Sequence, residues 1–312
     1  MTQKTDFEDI KAEILNRAKA AKACTEQYRR AYKSETLQEL CSVIKDNFNW
    51  CFNSKVITSN LLMQYREDFA QNDIFINISV RSGFLLCDNA TVKAYGNATV
   101  EAYGNATVKA YGNVTVKAWG NATVEACDNA TVEAYGNATV KAYGNATVEA
   151  CDSVTVKACG NATVKACGNA TVKACGNATV KAYGNATVEA CDNVTVKACD
   201  NVTVKAYGNA TVEAYGNVTV KAYGNATVKA YGNVTVKAGG NATVEACDNA
   251  TVKACDNVTV KACGNVTVKA CGNAYCTSHC IIECKLSDGA IYRVKSTNTV
   301  YYSSDNINFI KQ

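Results

Sequence analysis

Between Asn89 and Gly272, apolar and polar positions alternate in steps of two inside a longer period of eight. The unit reads Asn-Ala/Val-Thr-Val-Lys/Glu-Ala-Tyr/Cys-Gly/Asp and is written twenty-three times without insertion or deletion. Positions two, four and six, all Ala or Val, fall on one face. Thr, then Lys or Glu, then Tyr or Cys fall on the other. This pattern predicts a six-residue strand followed by a two-residue corner. Gly or Asp at position eight and Asn at position one are residue types that tolerate the left-handed backbone a corner uses. A helix is excluded, because at about 3.6 residues per turn an eight-residue period does not hold one face.

A single strand encloses no core, so consecutive octads must close on one another. Two octads per coil, a flattened β-roll with a 16-residue turn, is the smallest closed solution, and a three-sided coil of 24 residues is the alternative. The predicted fold is therefore mainly β: a two-sided parallel β-solenoid, with an N-terminal α-helical cap at 1–72 and a small C-terminal β cap at 281–312. The array extends in register over 73–280. Asp73–Val80 puts Ile74, Ile76 and Ile78 at the inward positions, and Arg81–Asp88 puts Ser82, Phe84 and Leu86 there. Asn273–Cys280 is a worn copy with His279 in the Tyr slot.

The two ends carry other periods. Phe7, Ile10, Ile14 and Ala18 recur at helical spacing behind a capping-box pattern at Thr5 and Glu8. Thr36 and Glu39 repeat that signal ahead of Leu40, Ile44, Phe48 and Cys51. A further helix follows Thr58 or Ser59, with Leu62, Tyr65 and Phe69 on one side, so 5–72 reads as three or four helices. Solenoids need atypical end units to close their strand edges. At the far end, Ile281–Leu286 and Ala290–Val294 read as a hairpin about Ser287-Asp288-Gly289, with short strands at Thr299–Tyr302 and Ile307–Ile310.

The octapeptide array, the segment LCSVIKDNFNWCF at Leu40–Phe52 and the end segment ECKLSDGAIYRVKSTNTVYYSSD at Glu283–Asp305 resemble a family of uncharacterised, repeat-length-variable proteins of gut bacteria and their mobile elements. The resemblance covers nearly the whole chain and brings neither an established activity nor functional residues. In shape alone the 16-residue coil is similar to bacterial ice-nucleation solenoids.

Composition narrows the function classes. Net charge is +4, too mild to announce a nucleic-acid or acid-mimicking protein. The charged N-terminus has no signal-peptide core and no apolar run is long enough for a membrane helix, so a cytoplasmic protein is expected, without membrane partners. Eighteen Cys then read as thiols in a reducing compartment. Zero Pro fits uninterrupted backbone pairing. Asn-X-Thr recurs in nearly every octad, but the corner accounts for that Asn.

Stacked coils turn each outward position into a column, with steps of about 4.8 Å. Lys205, Lys221, Lys237, Lys253 and Lys269 follow one another in such a column and form a basic stripe, a candidate polyanion or nucleic-acid site. The bland reading is a solvated face, since neighbouring ammonium groups in water repel by about 1 kcal/mol or less. The Thr column invites ice binding, but flanking Lys and Glu spoil a flat surface. Tyr and Cys share position seven; the Tyr columns offer side-by-side self-association, and thiols in a column lack the convergence of a zinc site. Cys276, His279, Cys280 and Cys284 are a second metal candidate, at a spacing that matches no standard pattern. No nucleophile–base pair or phosphate-binding glycine loop is present, and no cofactor is implied. The reading is a non-enzymatic scaffold or spacer that binds a protein partner through its faces or caps, with polyanion binding along the lysine column as the alternative.

Overall fold

The structure, a computed structural model, describes residues 2–303. It is a parallel β-solenoid of about 13 turns with coils of about 16 residues, preceded by a helical region. Alternate octads feed two sheets, of 16 and 13 strands among the described residues. By compactness the chain divides into Met1–Val132 and Glu133–Gln312.

The first unit begins with six helices: α1 (Thr2–Ala20), α2 (Thr25–Lys33), α3 (Leu37–Asp46), α4 (Phe48–Asn53), α5 (Ser59–Gln64) and α6 (Arg66–Ala70). The apolar stripes read from the sequence converge, with Ile10, Ile14, Leu40, Ile44, Phe48, Leu61, Leu62 and Phe69 all buried in one cluster. Thr36 caps α3 by accepting from the Glu39 N–H (3.2 Å), and Thr58 caps α5 by accepting from the Leu61 N–H (3.3 Å). Each such cap is worth about 1 kcal/mol. Residue 5 already lies inside α1, so the first predicted capping box does not start that helix. There are six helices rather than three or four because the backbone leaves helical geometry at Asn47 and Tyr65.

The solenoid starts one residue out of the expected register. Strand β1 (Ile74–Ile76) pairs with β2 (Phe84–Asp88), Ile74 opposite Phe84 and Ile76 opposite Leu86. Strand β3 (Thr91–Gly96) belongs to the 13-stranded sheet; Phe84 pairs with Thr99, and Leu86 with Glu101, on β4 (Thr99–Tyr103). The step from β2 to β4 is thus one residue short of the repeat. Leu85 and Cys87 take the inward positions beside Val100 and Ala102. Ile74, Ile76, Phe84 and Leu86 face out of the solenoid into the helical cluster. This corrects the expected inward sets, in which Ile78 proves half-buried and Ser82 exposed. The reason is physical: Phe84–Cys87 is a continuous apolar run, so alternation does not set its register, and the helices supply a second apolar surface. The helices accordingly cover the outer face of the first strands.

In the second unit the octad behaves as its pattern predicts. Val at position four and Ala at position six are buried throughout, as at Val204 and Ala206. Full burial of a Val side chain contributes roughly 1.5–3 kcal/mol. Paired strands sit sixteen residues apart, Lys205 opposite Lys221 and Val204 opposite Val220. The corner divides its labour differently from expectation. Position eight alone takes the left-handed backbone, with φ of 76° at Gly160 and 62° at Asp192. Asn at position one instead builds a side-chain ladder, such as Asn209 Nδ2 donating to Asn193 Oδ1 (3.2 Å). Asp at position eight accepts from the backbone one coil earlier, as Asp192 does from the Gly176 N–H (3.2 Å).

The predicted C-terminal hairpin is absent. Strand Glu283–Leu286 pairs in parallel with Thr267–Ala270, and Ile291–Val294 pairs in parallel with Tyr275–Ser278. Residues 281–288 and 289–296 are two further octads, and Asp288, read as a hairpin turn, is a position-eight corner with φ of 55°. Buried Tyr292 occupies the Val slot, its hydroxyl bonded to Ser278 Oγ (2.7 Å) and to the Ile282 N–H (3.0 Å). The antiparallel partner is Thr299–Tyr302, which pairs with Ile291–Val294. The strand expected at Ile307–Ile310 lies outside the described residues.

Candidate interaction faces

Because each strand begins at position three, the Lys or Glu of position five stands at the centre of every outward face. On the 13-stranded sheet, Lys205, Lys221, Lys237, Lys253 and Lys269 fall opposite one another strand by strand, as the sequence suggests. The two octads that replace the hairpin add a sixth member, Lys285, opposite Lys269. No ion pair joins any of the six among the described residues. On the other sheet the same position mixes signs, and Lys165–Glu149 (2.7 Å) and Lys261–Glu245 (3.3 Å) are paired. Lys253, Lys269 and Lys285, with Cys271 and Ser287, line a shallow basin of about 290 Å³.

Position seven lies beside the corner. Tyr207 and Tyr223 stack at 5.9 Å between ring centroids, and Tyr215 and Tyr231 at 5.2 Å. Gly239, the one glycine in this slot, lies under the Tyr223 ring; a Cβ there would meet Tyr223 Cδ1 at 3.2 Å. In two places the column is linked, by the disulfides Cys247–Cys263 and Cys255–Cys271, whereas Cys151 and Cys167, and Cys159, Cys175 and Cys191, follow one another as free thiols. This corrects the expectation of eighteen free thiols. Strand pairing brings the Cα atoms to 4.7 and 4.6 Å, within disulfide reach, whatever the compartment. Burial first, then the neighbouring thiol, pushes Cys151, Cys159 and Cys191 above their ordinary value, so little thiolate is present.

The C-terminal cluster is split by the strand pleat. Cys276 and Cys284 are buried at inward positions, where a thiol hydrogen bond between them, then burial, raises Cys284. His279 and Cys280 are exposed at the corner outside. Among the described residues no group of three or more His, Cys, Asp or Glu is placed to hold a metal ion.

Two features escaped the sequence. In the first unit, α4 places Phe48, Asn49, Phe52 and Asn53 on one side, and these meet the outward face of β2 and β4. Phe48 lies against Phe84 (5.2 Å) and Phe52 against Tyr103 (4.2 Å). Between them Glu101, a position-five residue, is only 1% exposed. It accepts from Asn49 Nδ2 (2.9 Å), Tyr103 Oη (3.2 Å) and Trp119 Nε1 (3.3 Å). Burial raises its pKa, and these hydrogen bonds offset part of that rise. Nothing in the octad marks this Glu from its copies. The second feature is an apolar cavity of about 300 Å³ among the helices, lined by Ile14, Tyr28, Leu40, Ile44 and Trp50. Gln27 and Asn47, hydrogen-bonded to each other (3.3 Å), are among its polar lining groups.

No protein-family model, curated protein or solved structure matches the chain. No helix among the described residues is long and apolar enough to cross a membrane.

Proposed function

We propose that the protein is a non-enzymatic scaffold that binds a protein partner along its solenoid faces or through its helical end. One observation carries this reading: like side chains stand in single file, Lys opposite Lys and Asn beside Asn. Catalysis asks for the opposite arrangement, unlike groups converging on one reacting atom. The Val and Ala interior supports the same reading, since it fixes the spacing of the outward groups. The resemblance to uncharacterised octapeptide-repeat proteins of gut bacteria and their mobile elements is kept as part of the proposal and supplies no activity. A cytoplasmic setting also belongs to it, supported by fourteen free cysteines against the four in disulfides. The exposed Tyr207 and Tyr223 add a surface for side-by-side association.

Quantitative cross-linking of the full chain in native extract tests the reading. A saturable protein partner is expected, with cross-links confined to outward positions three, five and seven or to the helices. Substitutions at those positions should abolish capture. Scattered, non-saturable cross-links would overturn it, as would a turnover activity that survives substitution of every column.

A further inference from the structure

We propose that the outward face of the 13-stranded sheet between Lys205 and Lys285 is a docking track for single-stranded nucleic acid. Phosphates would follow the lysine column, and bases would lie against Tyr207 and Tyr223. The inference goes beyond the scaffold reading and adds a ligand of a second kind at one face.

The lysine column is the longest like-charged row of the second unit. Six lysines in register over five steps of about 4.8 Å span roughly 24 Å. That length accommodates roughly seven phosphates at the stacked-strand spacing of about 3.4 Å. Five of the six are exposed and Lys221 is partly buried, and none is neutralised by an ion pair among the described residues. The opposite sheet carries the same residue types, yet its glutamates Glu149 and Glu245 take up neighbouring lysines. Carboxylates near the track are occupied otherwise. Asp256 and Asp288 accept from the backbone N–H groups of Gly240 and Gly272 (2.9 and 3.3 Å), and Glu283 accepts from the Thr267 hydroxyl (3.4 Å). A lysine row free of ion pairs complements a linear polyanion, which gains by releasing its own counterions.

Two details favour a single strand over a duplex or an acidic protein. Tyr207 and Tyr223 stand two residues beyond Lys205 and Lys221 on the same face, 36% and 42% exposed and stacked on each other. Aromatic rings next to a basic track bind unpaired bases, whose planes a duplex conceals. At the other end the Lys253–Lys269–Lys285 basin, with the Ser287 hydroxyl, has room for one phosphate group.

Fluorescence anisotropy of the full chain with a labelled 20-mer of deoxythymidylate tests the assignment, with a duplex of equal length and poly-glutamate as competitors. Binding at about 50 mM salt is expected, with log–log salt dependence up to about −4 if six phosphates are contacted. The variant K221E/K253E/K285E should lose at least about tenfold in affinity, and the slope should flatten by about 2. Tyr207→Ala with Tyr223→Ala should weaken the single strand several-fold and leave the duplex unchanged. K165E/K181E/K229E on the other sheet should bind as the native chain does. A K221Q/K253Q/K285Q variant, checked by circular dichroism, serves if charge reversal disturbs folding. No salt-sensitive binding, equal loss from both sheets, or poly-glutamate competing as well as the oligonucleotide would each overturn the proposal. Should the oligonucleotide fail while the cross-linked protein partner survives K221E/K253E/K285E, this inference falls and the scaffold reading stands.

Discussion

Position five of the octad is a buried glutamate at Glu101 and an exposed lysine at Lys253. The backbone around the two is the same strand with the same inward Val and Ala. What differs is the cover. At Glu101, helix α4 brings two aromatic rings and an amide onto the face, and the carboxylate finds three donors in place of water. At Lys253 nothing among the described residues lies above, and the side chain is exposed. A solenoid face is thus indifferent to what stands on it until another surface arrives. A residue's role then follows from the cover rather than from its repeat position.

The strongest test of this contrast replaces one outward residue in each region. Leu86→Asp would place an unpaired carboxylate in the seam between helices and β2, where Leu86 is fully buried. The expected loss is at least about 4 kcal/mol, with the helices detaching, because a buried charge without a partner is among the costliest single changes. Lys253→Asp should stay within about 0.5 kcal/mol, as an exposed substitution does. Urea unfolding followed by Trp50 and Trp119 fluorescence would measure the first, and a melting curve the second. Equal effects would mean that the helices do not distinguish the two faces.

A smaller effect separates how the two regions are held. The first strands have helices packed on them, whereas strands Thr243–Ala246 to Thr267–Ala270 are tied by the disulfides Cys247–Cys263 and Cys255–Cys271. Each closes a loop with a sequence separation of 16, for which the chain-entropy contribution is about 3 kcal/mol. Reduction should speed amide exchange in 243–271 by a corresponding factor and leave β2 and β4 unchanged. Uniform change along the chain would show that the links do not act locally.

The period of eight made the repeat, its inward set and its 16-residue coil readable, because alternation within each octad leaves one choice of face. Legibility failed wherever that alternation was interrupted or imitated. Phe84-Leu85-Leu86-Cys87 offers apolar residues to both faces, and only the helices decide that Leu85 and Cys87 go in. Ser287-Asp288-Gly289 carries the chemistry of a β-turn, and an octad corner uses the same chemistry, so two octads passed for a hairpin and Lys285 was lost from its column. The disulfides are not legible in the repeat, because the same column spacing holds Cys247 and Cys263 linked and Cys151 and Cys167 free. The lysine column survived intact, being a direct consequence of register.

The last prediction concerns Glu101 alone and is the smallest. Its carboxyl is raised above the ordinary value by burial, so the folded protein holds that proton more tightly than the unfolded chain. Below the ordinary carboxyl range both states are protonated, and this contribution to stability is fully present. As pH climbs through the raised value the carboxyl ionises inside the seam, the contribution is lost, and the helices sit less firmly. Urea midpoints for the Trp119 signal should therefore fall from mildly acid toward neutral pH. Glu101→Gln keeps the volume and an acceptor for Asn49, and it should remove the slope attributable to this group. A native chain without the slope, or a Gln variant that retains it, would assign the seam's stability to its aromatic contacts. Lys253, facing water in the equivalent position, provides the control: Lys253→Gln should leave the profile as it is.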